Sequence, residues 1–288
     1  MMNFQSVLKK IYCGVLMSLS IISIGYTSEN ISPIAKNKYV VKHLNLSELP
    51  VKTIVPIAAT TRVQALAQAK QIAMNKDADI AEFRVDLLDF ASDTKQVIAL
   101  GKEINDILKA KPLLVTIRTA NEGGKLNVSD EIYENIYKAY LEAPFFQLID
   151  IEMFRHENIV SELTTLAHQK NILVVMSNHE FNQTPSEKEI VRRLLKQDHM
   201  GADILKIAVM PKSKQDVFTL MNATLEVSER TPKTLLTISM GHLGQISRVA
   251  TANMGGNLSF GMIDKASAPG QIDVTELKQF LKTVQPIQ

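Results

Sequence analysis

The chain has 288 residues, enough for one large domain or two small ones. Its 32 Lys and Arg nearly balance 30 Asp and Glu, which excludes the basic excess that nucleic-acid binding calls for. Hydrophobic content of 45% is ordinary for a soluble globular protein, and one segment stands apart from it.

That segment is residues 1–28, which read as a secretory signal peptide. Lys9 and Lys10 form a basic start and Cys13–Gly25 an apolar run too short for a comfortable membrane span. Small residues near Ser23, Gly25 and Ser28 offer a cleavage site; an uncleaved anchor is the alternative. Cleavage removes two lysines, no acid and the single cysteine, Cys13. A thiol-free mature chain suits an oxidising compartment, so the expectation is export to the periplasm, with no membrane span left after signal removal.

Residues 29–38 are a polar leader, and 39–288 read as one domain that opens with a short hairpin near 39–46. From there a pattern repeats. Strand-like apolar runs appear at 53–59, 80–86, 113–119, 147–153, 172–179, 204–210, 234–240 and 257–263. Helix-length stretches with apolar residues three and four apart follow them at 63–76, 93–109, 129–140, 159–169, 186–197, 214–228, 245–252 and 274–284. Ser186 after Thr184-Pro185 is a plausible helix start. Eight strand–helix units predict an α/β fold, the (β/α)8 TIM barrel. A doubly wound open sheet would more naturally carry a glycine-rich turn after its first strand, and Ala58-Ala59-Thr60-Thr61 is not one.

A barrel predicts chemistry at the C-terminal ends of its strands. The run 204–210 is apolar except for Lys206, whose desolvation would favour the neutral, nucleophilic amine. The bland alternative is a lysine that snorkels to water. Alternation in the second strand puts Glu82, Arg84 and Asp86 on one face, inside the barrel, where the alternative is a self-compensating ion cluster. The third run adds Thr116 and Arg118, the latter suited to a carboxylate or hydroxyl, followed by Glu122, able to orient a base. His179 ends the fifth strand. His179-Glu180 lacks metal-ligand spacing and no mature cysteine adds ligands, so proton transfer is the expected role and no metal is expected. The loop Lys265–Gln271 is a candidate lid with Ser267 and Gln271 as polar fingers.

Six segments in order carry a resemblance: Glu82-Phe-Arg84-Val-Asp86, Ile117–Gly124, Ser177–Phe181, Gly201–Pro211, Ser247-Arg248 and Ala266–Gln271. Together they resemble type I 3-dehydroquinate dehydratase, the Schiff-base-forming class, over nearly the whole mature chain. Glu180 stands where Asp or Tyr is frequent and Leu205 where Pro is common, and neither touches the chemistry. The signal segment is the larger departure, since most such enzymes act in the cytoplasm.

The resemblance implies a carbon–oxygen lyase that eliminates water from 3-dehydroquinate to give 3-dehydroshikimate through a lysine imine. It implies catalytic Lys206, His179 and Glu122, with Arg248, Ser267 and Gln271 at the substrate carboxylate. Glu82, Arg84 and Arg118 then fall near the ring hydroxyls. No cofactor is implied, and the expected partners are the small-molecule substrate and a second subunit in a homodimer. Export points to catabolism of external quinate. Two rivals stand beside this reading: a class I aldolase sharing Lys206, and an exported solute-binding protein that keeps the pocket without turnover.

Overall fold

The computed structural model describes residues 36–284. The expected signal segment, and residues 29–35 of the leader, lie outside the described residues. Among those described, no helix is long and apolar enough to cross a membrane.

A two-stranded antiparallel hairpin, β1 (Val40–Val41) and β2 (Leu44–Asn45), comes first. Eight parallel strands follow: β3 (Lys52–Ile57), β4 (Ile80–Arg84), β5 (Leu113–Thr116), β6 (Leu148–Glu152), β7 (Leu173–Glu180), β8 (Ile204–Val209), β9 (Thr234–Ser239) and β10 (Leu258–Met262). The helices between them are α1 (Arg62–Met74), α2 (Thr94–Leu108), α3 (Asp130–Glu142), α4 (Glu157–Gln169), α5 (Glu187–His199), α6 (Lys214–Ser228) and α7 (Gln245–Val249). A two-residue strand, β11 (Ile272–Asp273), pairs beside β10 before α8 (Val274–Val284).

The (β/α)8 barrel is therefore the observed fold. Its seam passes through Asn257, whose N–H donates to Leu235 O at 3.1 Å while its carbonyl accepts from Lys52 N at 2.9 Å. Helix starts follow sequence chemistry. Thr61, Asp93, Ser129, Ser186 and Ser213 each cap a helix by accepting a backbone N–H three residues on.

Three expectations need correction. Strand β4 stops at Arg84, and Asp86 lies in a 3-10 turn (Val85–Leu87), so it does not extend the charged strand face. Strand β5 stops at Thr116, leaving Arg118 just past its end. Helix α7 ends at Val249 and gives way to a 3-10 turn (Thr251–Met254), and β11 was not expected at all.

Strand alternation sorts the side chains into an outer shell under the helices and an inner stack. The lowest inner layer is apolar: Ile54, Ile80, Leu114, Leu148, Val175, Ile204, Leu236 and Leu258. Val41 and Leu46 of the N-terminal segment pack against it. Two residues further along five consecutive strands stand Glu82, Thr116, Asp150, Ser177 and Lys206, all buried. Each fully buried Leu or Ile in the floor contributes about 1.5–3 kcal/mol. That gain lets the next layer hold charges whose desolvation is costly.

Candidate active site

The charged layer is organised by Arg118, whose side chain is 5% exposed. Its Nη2 donates to Asp150 Oδ1 at 2.7 Å; Nη1 donates to Ser177 Oγ (2.9 Å), Glu152 Oε1 (3.0 Å) and Glu122 Oε2 (3.2 Å). Burial alone would lower the Arg118 pKa, but the Asp150, Glu152 and Glu122 carboxylates hold it well above its ordinary value. Arg118 lines the pocket, and both its terminal nitrogens already hold protein partners.

Lys206 Nζ donates to Asp150 Oδ2 at 2.7 Å and lies 4.0 Å from Glu82 Oε1 and 5.0 Å above the Phe260 ring. The lysine does not snorkel. It is buried as one half of an ion pair, a state the sequence reading did not foresee. Burial pushes the Asp150 carboxyl up, but the Arg118 and Lys206 cations override it and hold it at about 2. The same Glu82 oxygen accepts from the Thr116 hydroxyl at 2.9 Å.

His179 Nδ1 sits 3.0 Å from Glu122 Oε2. Burial, then the Arg118, Lys206 and Arg84 cations, holds the imidazole pKa well below its ordinary value, so the ring is neutral at pH 7. Burial pushes Glu122 up to about 8 against the pull of Arg118, with Glu152 and Asp150 adding to the rise. Above that titration Glu122 accepts Nδ1–H and leaves Nε2 free to take a proton. Below it, a protonated Glu122 donates to Nδ1 and moves the ring proton to Nε2. Gly123, at φ +80°, turns the chain here, and a Cβ on Gly124 would stand 1.8 Å from the Arg118 carbonyl oxygen.

Arg84 is held bidentate by Asp86, through Nε–Oδ1 at 2.8 Å and Nη2–Oδ2 at 2.9 Å. Asp86 also accepts from the backbone N–H groups of Arg118 and Lys125, tying Arg84 to the loop that carries Glu122. Across the pocket, Arg248 is 1% exposed and, among the described residues, contacts no carboxylate. Among those residues it donates to the Phe260 and Pro269 carbonyls, at 3.4 and 3.1 Å, and its buried Nε has no partner. Burial pushes its pKa down to about 10. A buried guanidinium without a counter-ion is a site for an incoming anion.

Arg248 also anchors the loop after β10. Gly241 N donates to Pro269 O at 3.1 Å, which closes this loop onto the one after β9. Within the loop, Gln271 Oε1 accepts from Ser267 N at 2.7 Å and Gln271 Nε2 donates to Ser267 Oγ at 3.1 Å. Both fingers face the same cavity of about 210 Å³, room for one ring-sized molecule.

That cavity is lined by all nine residues singled out from sequence: Glu82, Arg84, Arg118, Glu122, His179, Lys206, Arg248, Ser267 and Gln271. Sequence reasoning missed Asp150, Glu152 and Ser177, which lie behind the lining. The signal was available: Leu148-Ile-Asp-Ile-Glu152 puts two charged residues on one parity, as Glu82 and Arg84 are in β4.

Fold and site define a (β/α)8 enzyme acting on a small molecule at the C-terminal mouth of its barrel. A family model for type I 3-dehydroquinase matches residues 53–288. The chain is 74% identical over 270 residues to the catabolic 3-dehydroquinate dehydratase of Acinetobacter baylyi, covering 94% of this chain and 99% of that one. It is 44% identical over 245 residues to the 3-dehydroquinate dehydratase of Listeria monocytogenes, covering 85% and 97%. Among solved structures, type I 3-dehydroquinate dehydratase from Clostridium difficile, crystallised with covalently modified comenic acid, superposes with a TM-score of 0.83 at 35% identity, over 86% of this chain and 98% of that one. The Geobacillus kaustophilus enzyme gives 0.84 at 26% identity, over 88% and 98%. The chain belongs to the type I 3-dehydroquinase family, a family of hydro-lyases.

Proposed function

We propose that this protein dehydrates 3-dehydroquinate to 3-dehydroshikimate through an imine on Lys206. The observation that carries the reading is one cavity shared by Lys206, His179 and the counter-ion-free Arg248. The Lys206 ammonium passes a proton to His179 Nε2, the neutral amine adds to the C3 ketone, and the carbinolamine hydroxyl takes that proton back and leaves as water, giving an iminium. That cation is an electron sink and acidifies the C2 hydrogen. His179 Nε2 takes the C2 proton, and the electron pair left behind is drawn into the iminium as an enamine. The enamine expels the C1 hydroxyl, which leaves as water with the proton returned by His179. Hydrolysis of the iminium restores the amine and releases product, so one water is lost overall.

Glu122 keeps His179 in the tautomer that has Nε2 free. Arg248, with Ser267 and Gln271 in the closed loop, takes the substrate carboxylate. Glu82, Arg84 and Arg118 face the ring hydroxyls. Asp150 stabilises first the ammonium and then the iminium on Lys206, because a fixed carboxylate beside a developing cation needs no reorganisation. Intact-mass and peptide analysis after incubation with 3-dehydroquinate and borohydride tests the chemistry. The expected result is a single reduced adduct on Lys206. Product formation without an adduct would remove the imine, and binding without product would favour a solute-binding role.

The catabolic role is supported by the name of the 74% identical relative. The basic-then-apolar start of the chain supports export, which would place the enzyme in breakdown of external quinate. Cell fractionation should recover a shortened protein in the periplasm; only full-length cytoplasmic protein would refute this. The resemblance also supports a homodimer, to be checked by sedimentation.

A further inference from the structure

The barrel wall is interrupted beside Asp150, the partner of Lys206. Strands β5 and β6 are in register with Thr116 opposite Asp150, so a parallel ladder would next join Ile117 N–H to the Asp150 carbonyl. Instead, the Tyr137 hydroxyl stands between them, accepting from Ile117 N at 2.9 Å and donating to Asp150 O at 2.6 Å. Beside it, the Tyr133 hydroxyl accepts from Glu152 N at 3.1 Å. Both tyrosines come from α3, outside the barrel.

A side chain from a second outer helix holds the other half of the pair. Ser177 stands opposite Lys206, and its carbonyl is committed to Met153 N on the β6 side. Residues 176 and 178 are therefore the ones that face β8, where the Lys206 peptide would meet them. The carboxamide of Gln197, fully buried on α5, reaches both groups of that peptide from outside a β7–β8 register that runs unbroken past Lys206. Its Oε1 accepts from Lys206 N and its Nε2 donates to Lys206 O, each at 2.9 Å. A buried side-chain amide that bonds both polar groups of one peptide has a specific task, since an apolar residue there would lose both contacts and supply nothing in their place.

We propose that Gln197 and Tyr137 are positioning residues: side chains from the outer helices that set the backbone of Lys206 and Asp150, and so where the amine stands relative to the bound ketone. Tyr137 takes over where the β5–β6 ladder ends at the charged layer, and Gln197 grips the Lys206 peptide beside a continuous β7–β8 ladder. Neither side chain lines the cavity, so each acts only through the residue it holds.

This inference rests on the imine reading, and the test separates the two. Gln197→Met keeps length and removes both hydrogen bonds; Tyr137→Phe removes one hydroxyl. For each, kcat, KM, melting temperature and the rate of borohydride trapping at saturating 3-dehydroquinate are measured on folded protein. The expected result is a trapping rate and kcat at least about tenfold lower in Gln197→Met, and threefold to tenfold lower in Tyr137→Phe. KM should stay within about threefold, because the carboxylate contacts are untouched. A lowered melting temperature with parental trapping would assign the side chains to stability alone and overturn the proposal. So would failure of both variants to fold; if only Gln197→Met fails, Tyr137→Phe decides. A parent enzyme that forms product but traps nothing on Lys206 refutes the imine instead.

Discussion

Lys206 and Asp150, 56 positions apart in the chain, meet at 2.7 Å in the centre of the barrel. The carboxylate also holds Arg118 and the Ser177 hydroxyl, so one acid serves two cations on adjacent levels. Removing it strands Lys206 and takes from Arg118 one of its three carboxylates. Asp150→Ala should cost on the order of 3–5 kcal/mol of stability, the usual consequence of leaving a buried charge unpaired. Asp150→Asn should retain more stability but lose at least about 100-fold in kcat, read by thermal melts alongside steady-state rates.

The same carboxylate sets an acid limit. Its folded-state pKa of about 2 lies below the ordinary 3.8, so the unfolded chain binds its proton first as pH falls. Its stabilisation is present above pH 4 and lost as pH drops through about 2. Denaturant titrations of parent and Asp150→Asn should therefore converge toward pH 2, and a constant difference between them would contradict this.

The His179–Glu122 dyad predicts the activity profile. With Glu122 raised to about 8 and the imidazole kept neutral, the base-competent form grows as Glu122 ionises. The value of kcat/KM should rise about tenfold per pH unit below about 8 and level off above it. Glu122→Gln can still accept Nδ1–H but does not titrate, so its profile should lose this limb. A profile that instead follows an ordinary histidine near 6.5 would refute the assignment.

Arg248 separates binding from stability. Replacing it with Met removes a buried cation that has no counter-ion among the described residues, so the melting temperature should equal or exceed the parent's. KM should rise by about 100-fold, equivalent to about 2.7 kcal/mol, for loss of a charge-assisted contact to the substrate carboxylate. A lower melting temperature with unchanged KM would remove Arg248 from the binding site.

Gly270 tests the closing loop. It holds φ +75°, and a Cβ there would stand 2.3 Å from the Gly241 carbonyl oxygen. Gly270→Ala should lower kcat/KM more than about tenfold by keeping the loop off the β9–α7 connection, with little change in melting temperature because the loop is peripheral. Parental kinetics would mean the contact is dispensable.

Much of this molecule is determined by local sequence. Strand alternation and helical spacing specify eight strand–helix units, and strand-end polarity picks out Lys206, His179 and the Glu82–Arg84 pair, because side-chain direction has a period of two in a strand whatever its neighbours are. The chain also shows Asp150 and Glu152 on one parity in β6, but not what they face. Only the tertiary structure decided that Asp150 meets Lys206, that Arg118 serves three acids, and that Arg248 has none. Those distances depend on the stagger between strands and on side chains such as Tyr137 and Gln197 that enter the wall from outside. A hydrogen bond reads position to a few tenths of an ångström. Periodicity along one strand fixes a direction and leaves that position open until the barrel closes.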